Sequence, residues 1–231
     1  LILMWHDEEE KDPNFDPHPL PEWDDPKWVN WKVDHLGVLN CHPQEIIDNM
    51  TDKAHLGPIH GSTDMQYFES ECKDHVIRQV LAAGHRTLAD DIMTNDTWYT
   101  GPGILLSRMN GYYNSLMMIC HTPIEDGSLR AWHGLTVQPP NFPMTKEDEA
   151  AVPAFQEGSK LALLQDFEVW ANKAPCISIM QVVGDGPFGK ARAWYKQFYN
   201  PRSETKSLQS KANGHWVTKG TERDPWPTAA E

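Results

Sequence analysis

The sequence predicts an α+β domain in which helices pack on one face of an antiparallel sheet. Three observations carry this: apolar residues at helical spacing over 43–55, short alternating runs with turn signals over 65–138, and a return to helical character from Thr145 to Lys173. The 231 residues, 39% hydrophobic and with ten Trp and seven Phe, suffice for one large domain with its own core.

Taken in order, Leu1-Ile2-Leu3-Met4 runs at once into Asp7-Glu8-Glu9-Glu10, so residues 1–12 read as the trailing end of a preceding domain. Five prolines (Pro13, Pro17, Pro19, Pro21 and Pro26) break up the next stretch, and residues 13–34 read as a linker laid over a surface. The main domain is expected over 35–200. Its first helix is marked by Ile46, Ile47, Met50 and Ala54, and Gly57-Pro58 is expected to end it.

Strand signals follow, such as Val76-Ile77-Arg78-Gln79-Val80-Leu81 and Gly103-Ile104-Leu105-Leu106, separated by turns at Ala83-Gly84, Gly101-Pro102 and Asp126-Gly127. Thr145 is a natural N-cap ahead of Glu147 and Asp148, while Pro153 should start a fresh helix or kink this one. Residues 185–199 are expected as a last helix. The polar tail 201–231, ending in Pro225-Trp226-Pro227, is expected to lie loosely on the surface.

Composition excludes several classes of function. A formal charge of −13 repels phosphate backbones and anionic membranes, so neither nucleic acid nor a membrane surface is an expected partner. No apolar run approaches the roughly 20 residues of a spanning helix, and the apolar opening is too short for a signal-peptide core, which points to a cytoplasmic location. Cys41, Cys72, Cys120 and Cys176 are too scattered for a disulfide framework and read as reduced, structural thiols.

Chemistry concentrates in residues 44–61. On a helix Asp48, Asp52 and His55 share one face, and a break at Gly57-Pro58 would swing His60 back toward His55. Neutral imidazole suits iron, zinc, copper and nickel, and two histidines with one carboxylate and open positions form the facial triad of non-haem iron oxygenases. Asp52 is placed to accept a ring N–H from a ligand histidine. Spacing alone describes equally well two surface or capping histidines beside a solvated acidic face, and it does not choose iron over zinc.

Asp52-Lys53-Ala54-His55-Leu56-Gly57-Pro58-Ile59-His60 resembles the D-x-x-H-x-x-x-x-H signature of the catalytic domain of Rieske non-haem iron oxygenase α-subunits. Pro43-Gln44-Glu45-Ile46-Ile47-Asp48-Asn49 is most similar to the branch that contains the oxygenase component of 3-ketosteroid 9α-hydroxylase. The resemblance runs from Trp5-His6-Asp7 to about Tyr199 and includes Lys190–Tyr199 as the branch's last helix. It implies a helix-grip fold, mononuclear Fe(II) on His55 and His60, and Asp52 as a bridge toward a neighbouring subunit's Rieske cluster.

The third ligand it implies is Asp166, from the similarity of Leu164–Lys173 to the family's C-terminal segment; without it, nothing prefers Asp166 over Glu168 or Asp148. Ring-hydroxylating relatives often carry asparagine four residues before the bridging aspartate. Here Asp48 stands there, with Asn49 beside it, so the division of supporting duties between the two is open.

A Rieske [2Fe-2S] cluster needs C-x-H followed by C-x-x-H. Cys72-Lys73-Asp74-His75 matches the second half by spacing, but no C-x-H precedes it and it follows the iron motif, so it reads as a decoy. The cluster is therefore expected in an N-terminal domain absent from this chain, supplied with electrons by a ferredoxin or flavin reductase, within a homotrimer.

An apolar small-molecule pocket is expected, with Trp98, Met117 and Trp132 as lining residues beside Tyr99, Ile104, Leu106, Met118 and Phe155. The leading expectation is hydroxylation of a bulky steroid-like or aromatic substrate. A helix-grip ligand-binding module without a catalytic metal is the alternative. A zinc hydrolase is weaker still, because no H-E-x-x-H is present.

Overall fold

The computed structural model describes residues 2–86, 88–174, 176, 178–182, 184–218 and 220–221. The end of the tail, with Pro225-Trp226-Pro227, lies outside the described residues. Among the described residues, eight strands form one antiparallel sheet: β1 (Val29–Leu39), β2 (Ser62–Lys73), β3 (Val76–His85), β4 (Leu88–Thr100), β5 (Ile104–Asn110), β6 (Asn114–Glu125), β7 (Ser128–Gln138) and β8 (Gly214–Val217). Their spatial order is β1-β7-β6-β5-β4-β3-β2-β8, a meander from β2 to β7 with β1 and β8 added at the two edges.

The helices are α1 (Gln44–Met50), α2 (Leu56–His60), α3 (Lys146–Ala171), α4 (Phe188–Tyr195) and α5 (Thr205–Ala212). The pleat sends alternate residues to opposite faces. Tyr99, Leu105, Ile119 and Ala131 pack in the main core with Leu163 and Trp170 of α3 and Trp194 of α4. Trp98, Leu106 and Met118 form a separate cluster on the other face, covered by Leu20 and Trp28 of the N-terminal segment.

The structure revises several boundaries. The sheet starts at Val29, inside the stretch read as linker, because β1 pairs with β7 from the Val29–Val137 contact onward. The tail is not loose up to Val217: α5 buries Gln209 and Ala212, and β8 pairs with the outer edge of β2. An edge strand needs no strong apolar signal, since one ladder suffices to fix it.

The helix expected through residue 55 ends at Met50. Pro58 does not break a helix but sits in the first turn of α2, where its missing N–H has no acceptor to satisfy. Likewise α3 runs unbroken through Pro153 rather than restarting there. Pro153 and Glu149, whose carbonyl loses its partner, are both exposed, so water can serve that group. Thr145 caps α3 as expected, its hydroxyl oxygen accepting from the Asp148 N–H at 3.1 Å.

Candidate metal centre

Two short helices and one long one build the site. After α1, the chain turns at Thr51 and Asp52, and His55 opens α2 as its N-cap residue. Gly61 closes α2 in the left-handed conformation, φ 76°, which glycine adopts freely, and directs the chain into β2. His55 and His60 thus stand at the two ends of a single short helix, with ring centroids 5.1 Å apart and planes at 82°.

The third group comes from α3. Its inward stripe is Val152, Gln156, Ser159, Leu163, Asp166 and Trp170, at alternating spacings of four and three. Asp166 Oδ2 lies 3.3 Å from His60 Nε2, and Asp166 Oδ1 accepts from Asn49 Nδ2 at 3.2 Å. One donor atom each from His55, His60 and Asp166 falls within 4.8 Å of the others. Among the described residues, this is the one such His/Cys/Asp/Glu group. Glu168 is exposed, and the buried Asp148 is engaged by Tyr113 and Thr145.

Supporting contacts fix these groups. The Asp52 backbone carbonyl accepts from His55 Nδ1 at 2.6 Å, which sets the tautomer and leaves Nε2 as the free lone pair. The Asp52 carboxylate caps the Ala54 N–H through Oδ1 at 2.8 Å, and its Oδ2 stands 3.7 Å from His55 Nδ1. The expected ring acceptor on Asp52 is therefore chiefly its carbonyl. His85, not anticipated from the sequence, donates from Nε2 to the His60 carbonyl at 2.7 Å and ties α2 to β3.

Asp48 and Asn49 divide their duties cleanly. Asn49 holds Asp166, whereas Asp48, only 2% exposed, is clamped by Arg192 of α4 through contacts of 2.5–3.1 Å. Arg192 also donates to the Cys176 carbonyl. No local sequence signal reveals Arg192, which lies 144 positions from its partner. Gly186 completes the packing: a Cβ there would lie 1.6 Å from the Thr51 carbonyl oxygen, so only glycine lets this segment close over the end of α1.

The two buried aspartates differ in a way that bears on metal binding. Asp48 has its arginine; Asp166 has only Asn49 and His60, with no Lys or Arg within 4 Å among the described residues. A buried carboxylate without a cation is costly. Burial lowers the His55 pKa, against the opposing pull of Asp166 and Asp52, and so favours the neutral imidazole a metal needs. His60 Nδ1 is buried without a hydrogen-bond partner. A divalent cation fits this N,N,O donor set and would supply the missing positive charge.

The expected pocket residues separate. Met117 is on the helix side of the sheet, 3.9 Å from Ser159 Oγ, and Tyr99 and Phe155 are on that side too. Trp98 and Trp132, with Ile104, Leu106 and Met118, are on the opposite face and cannot line a cavity beside α3. Strand parity, invisible to a list of large apolar residues, decides this. Cys72 and His75 also part: Cys72 is buried in the main core, while His75 stacks on Phe15 with centroids 4.6 Å apart. The four cysteines are unpaired, and burial pushes Cys41 and Cys72 up to about 12, as inert structural thiols require.

Comparison with known proteins places the chain in a family. Residues 4–199 match the family model described as 3-Ketosteroid 9alpha-hydroxylase C-terminal domain. The chain is 29% identical over 214 residues to the 3-ketosteroid-9-alpha-monooxygenase oxygenase component of Mycolicibacterium smegmatis, covering 86% of this chain and 56% of that one. Cholesterol 7-desaturase of Xenopus laevis is 23% identical over 243 residues, covering 90% and 51%. The chain thus spans about half the length of the curated relatives it matches.

Among solved structures, the NdmA QL mutant of Pseudomonas putida CBB5 with theobromine superposes with a TM-score of 0.60 at 14% identity, covering 92% of this chain and 62% of the other. Dicamba monooxygenase bound to dicamba gives 0.58 at 15%, covering 89% and 65%. These two show a shared fold.

Proposed function

Because the chain belongs to the 3-ketosteroid 9alpha-hydroxylase C-terminal domain family, we propose that it is the mononuclear iron domain of a Rieske-type hydroxylase acting on a bulky steroid-like or aromatic substrate. The observation that supports this best is the convergence of His55, His60 and Asp166, with Asp166 buried and no Lys or Arg beside it among the described residues. These three would hold Fe(II), which when bound supplies the activation of dioxygen for insertion of one oxygen atom into a C–H bond.

The protein's own groups do the positioning. The Asp52 carbonyl keeps a proton on His55 Nδ1, so that the ring offers Nε2. Asn49 occupies one oxygen of Asp166 and leaves the other for the centre. His85 pins the backbone of His60. The Asp52 side chain remains about a quarter exposed, accessible to a partner, and is the bridging group toward a Rieske cluster.

No C-x-H occurs in the 231 residues, so the [2Fe-2S] centre is supplied from outside this sequence. Its electrons come from a ferredoxin or flavin reductase, and the assembly is a homotrimer in the cytoplasm. No helix among the described residues is long and apolar enough to cross a membrane.

Anaerobic titration with Fe(II) tests this reading: one equivalent should bind, and Asp166→Ala or His60→Ala should abolish stoichiometric binding. A clear preference for zinc would point to a hydrolase. Full-strength steroid binding with no metal retained at the site would instead make the chain a ligand-binding module.

A further inference from the structure

The C-terminal helices carry a file of oxidisable aromatic rings that the proposed hydroxylation does not use. Trp194 and Tyr195 of α4 are 0% and 2% exposed, and Tyr199, four residues on, is 51% exposed. Ring centroids lie 6.5 Å apart from Trp194 to Tyr195 and 4.8 Å from Tyr195 to Tyr199, both within aromatic contact range. The two phenol hydroxyls are also hydrogen-bonded to each other. The file therefore runs without a break from the main core to the surface.

Its inner end points toward the metal centre. Trp170 is buried in the same core as Trp194 and stands one helical turn beyond Asp166 on the inward stripe of α3, about 6 Å along the axis. α1 lies between α3 and α4: Asn49 bonds Asp166, Glu45 pairs with Lys173, and Asp48 pairs with Arg192. The longest gap in the file, from Trp170 to Trp194, is thus the width of one helix, about 10 Å.

Core packing by itself asks for none of this chemistry. Leucine or phenylalanine would fill the same space, whereas a buried phenol must find a partner and a buried indole N–H without one costs stability. Trp194 Nε1 is such a group, buried with no hydrogen-bond partner among the described residues. Having no acceptor for its proton, an oxidised Trp194 stays a radical cation and takes an electron from the neighbouring Tyr195. At Tyr199, where the file meets solvent, the phenol proton passes to water.

We propose that Trp170, Trp194, Tyr195 and Tyr199 form an electron relay to the metal centre, used when the centre is oxidised with no substrate bound. It moves the electron deficit away from the ligand histidines to Tyr199 at the surface. This rests on the iron reading above and adds a protective function to it. With hydrogen peroxide as the oxidant the step balances. The peroxide takes one electron from Fe(II), giving Fe(III), and one from Tyr199, giving a phenoxyl radical, while the phenol proton and one proton from solvent complete two waters.

The test mixes the full chain, loaded anaerobically with Fe(II) and free of substrate, with one equivalent of hydrogen peroxide, freezes it and records the EPR spectrum. Fe(III) and a tyrosyl radical should appear together, the radical signal narrowing when the chain carries ring-deuterated tyrosine. Tyr195→Phe combined with Tyr199→Phe keeps both rings and removes only the hydroxyls. It should leave the stoichiometry of Fe(II) binding unchanged, reduce the radical to background and increase oxidation of His55 and His60 in peptide mass spectra. Tyr112→Phe, at the 70% exposed tyrosine between β5 and β6, should leave the radical as it is. A radical that survives the double variant, a radical that Tyr112→Phe removes, or Fe(III) formed with no protein radical would each overturn the proposal. If the wild type retains no iron before peroxide is added, the iron reading itself fails and the proposal with it, a result visible before any variant is made.

Discussion

Replacing Arg192 by methionine should be among the most damaging single changes in this protein. Asp48 is 2% exposed, and Arg192 supplies its compensating charge through Nε and Nη2. Removing one partner of such a pair leaves an uncompensated buried carboxylate, which costs about 3–5 kcal/mol. The pair is nevertheless no large net gain. Burial raises the Asp48 pKa even with the guanidinium in place, so the carboxyl contributes stability below its unfolded pKa that is lost as pH rises through the folded one.

Two results are therefore expected in urea denaturation at pH 7. Arg192→Met alone should lower the midpoint by more than about 1 M, taking an m value near 3 kcal/mol/M. Asp48→Asn combined with Arg192→Met should recover most of that loss, giving a coupling of about 2 kcal/mol or more. A single variant that loses under about 1 kcal/mol, or a double variant no better than the single, would refute the reasoning. Because α1 also carries Asn49, Arg192→Met should weaken Fe(II) binding at urea concentrations where the variant remains folded.

Three further outcomes follow from the same contacts. Asn49→Ala removes the hydrogen bond that holds Asp166 Oδ1 and should weaken Fe(II) affinity about 10–100-fold in an anaerobic titration, with unfolding little changed. His121 and His133 are both buried and held at about 4, so the unfolded chain takes up their protons first as pH falls. Stability is present above the unfolded value near 6.5 and should fall by about 2 kcal/mol for each between pH 7.5 and 5; His121→Gln should remove one share of that loss in paired urea curves. Pro153→Ala restores an N–H opposite the Glu149 carbonyl in the exposed middle of α3 and should raise the thermal midpoint, with a gain of about 1–3 kcal/mol.

The two histidines were legible because both they and the turns that aim them fall within nine residues, Asp52 to His60. Even there the local reading was inexact: Thr51 and Asp52, not Gly57-Pro58, interrupt the helix, since proline is tolerated in a first turn. Asp166 was legible only through resemblance. Its distinction from Glu168 and Asp148 is an accident of which α3 face meets α1 and α2, and that is set by packing across more than a hundred residues.

The sequence by itself determined the class of fold, the candidate ligand histidines and the lack of a C-x-H, because periodicity, short-range spacing and residue type are local properties. Tertiary structure alone decided that Trp98 and Trp132 turn away from the helices, that Arg192 neutralises Asp48 while Asp166 has no cation beside it among the described residues, and that Asp34, His133 and Ser159 meet. Each of these depends on strand register and helix placement, where a shift of one residue would exchange the buried and exposed faces.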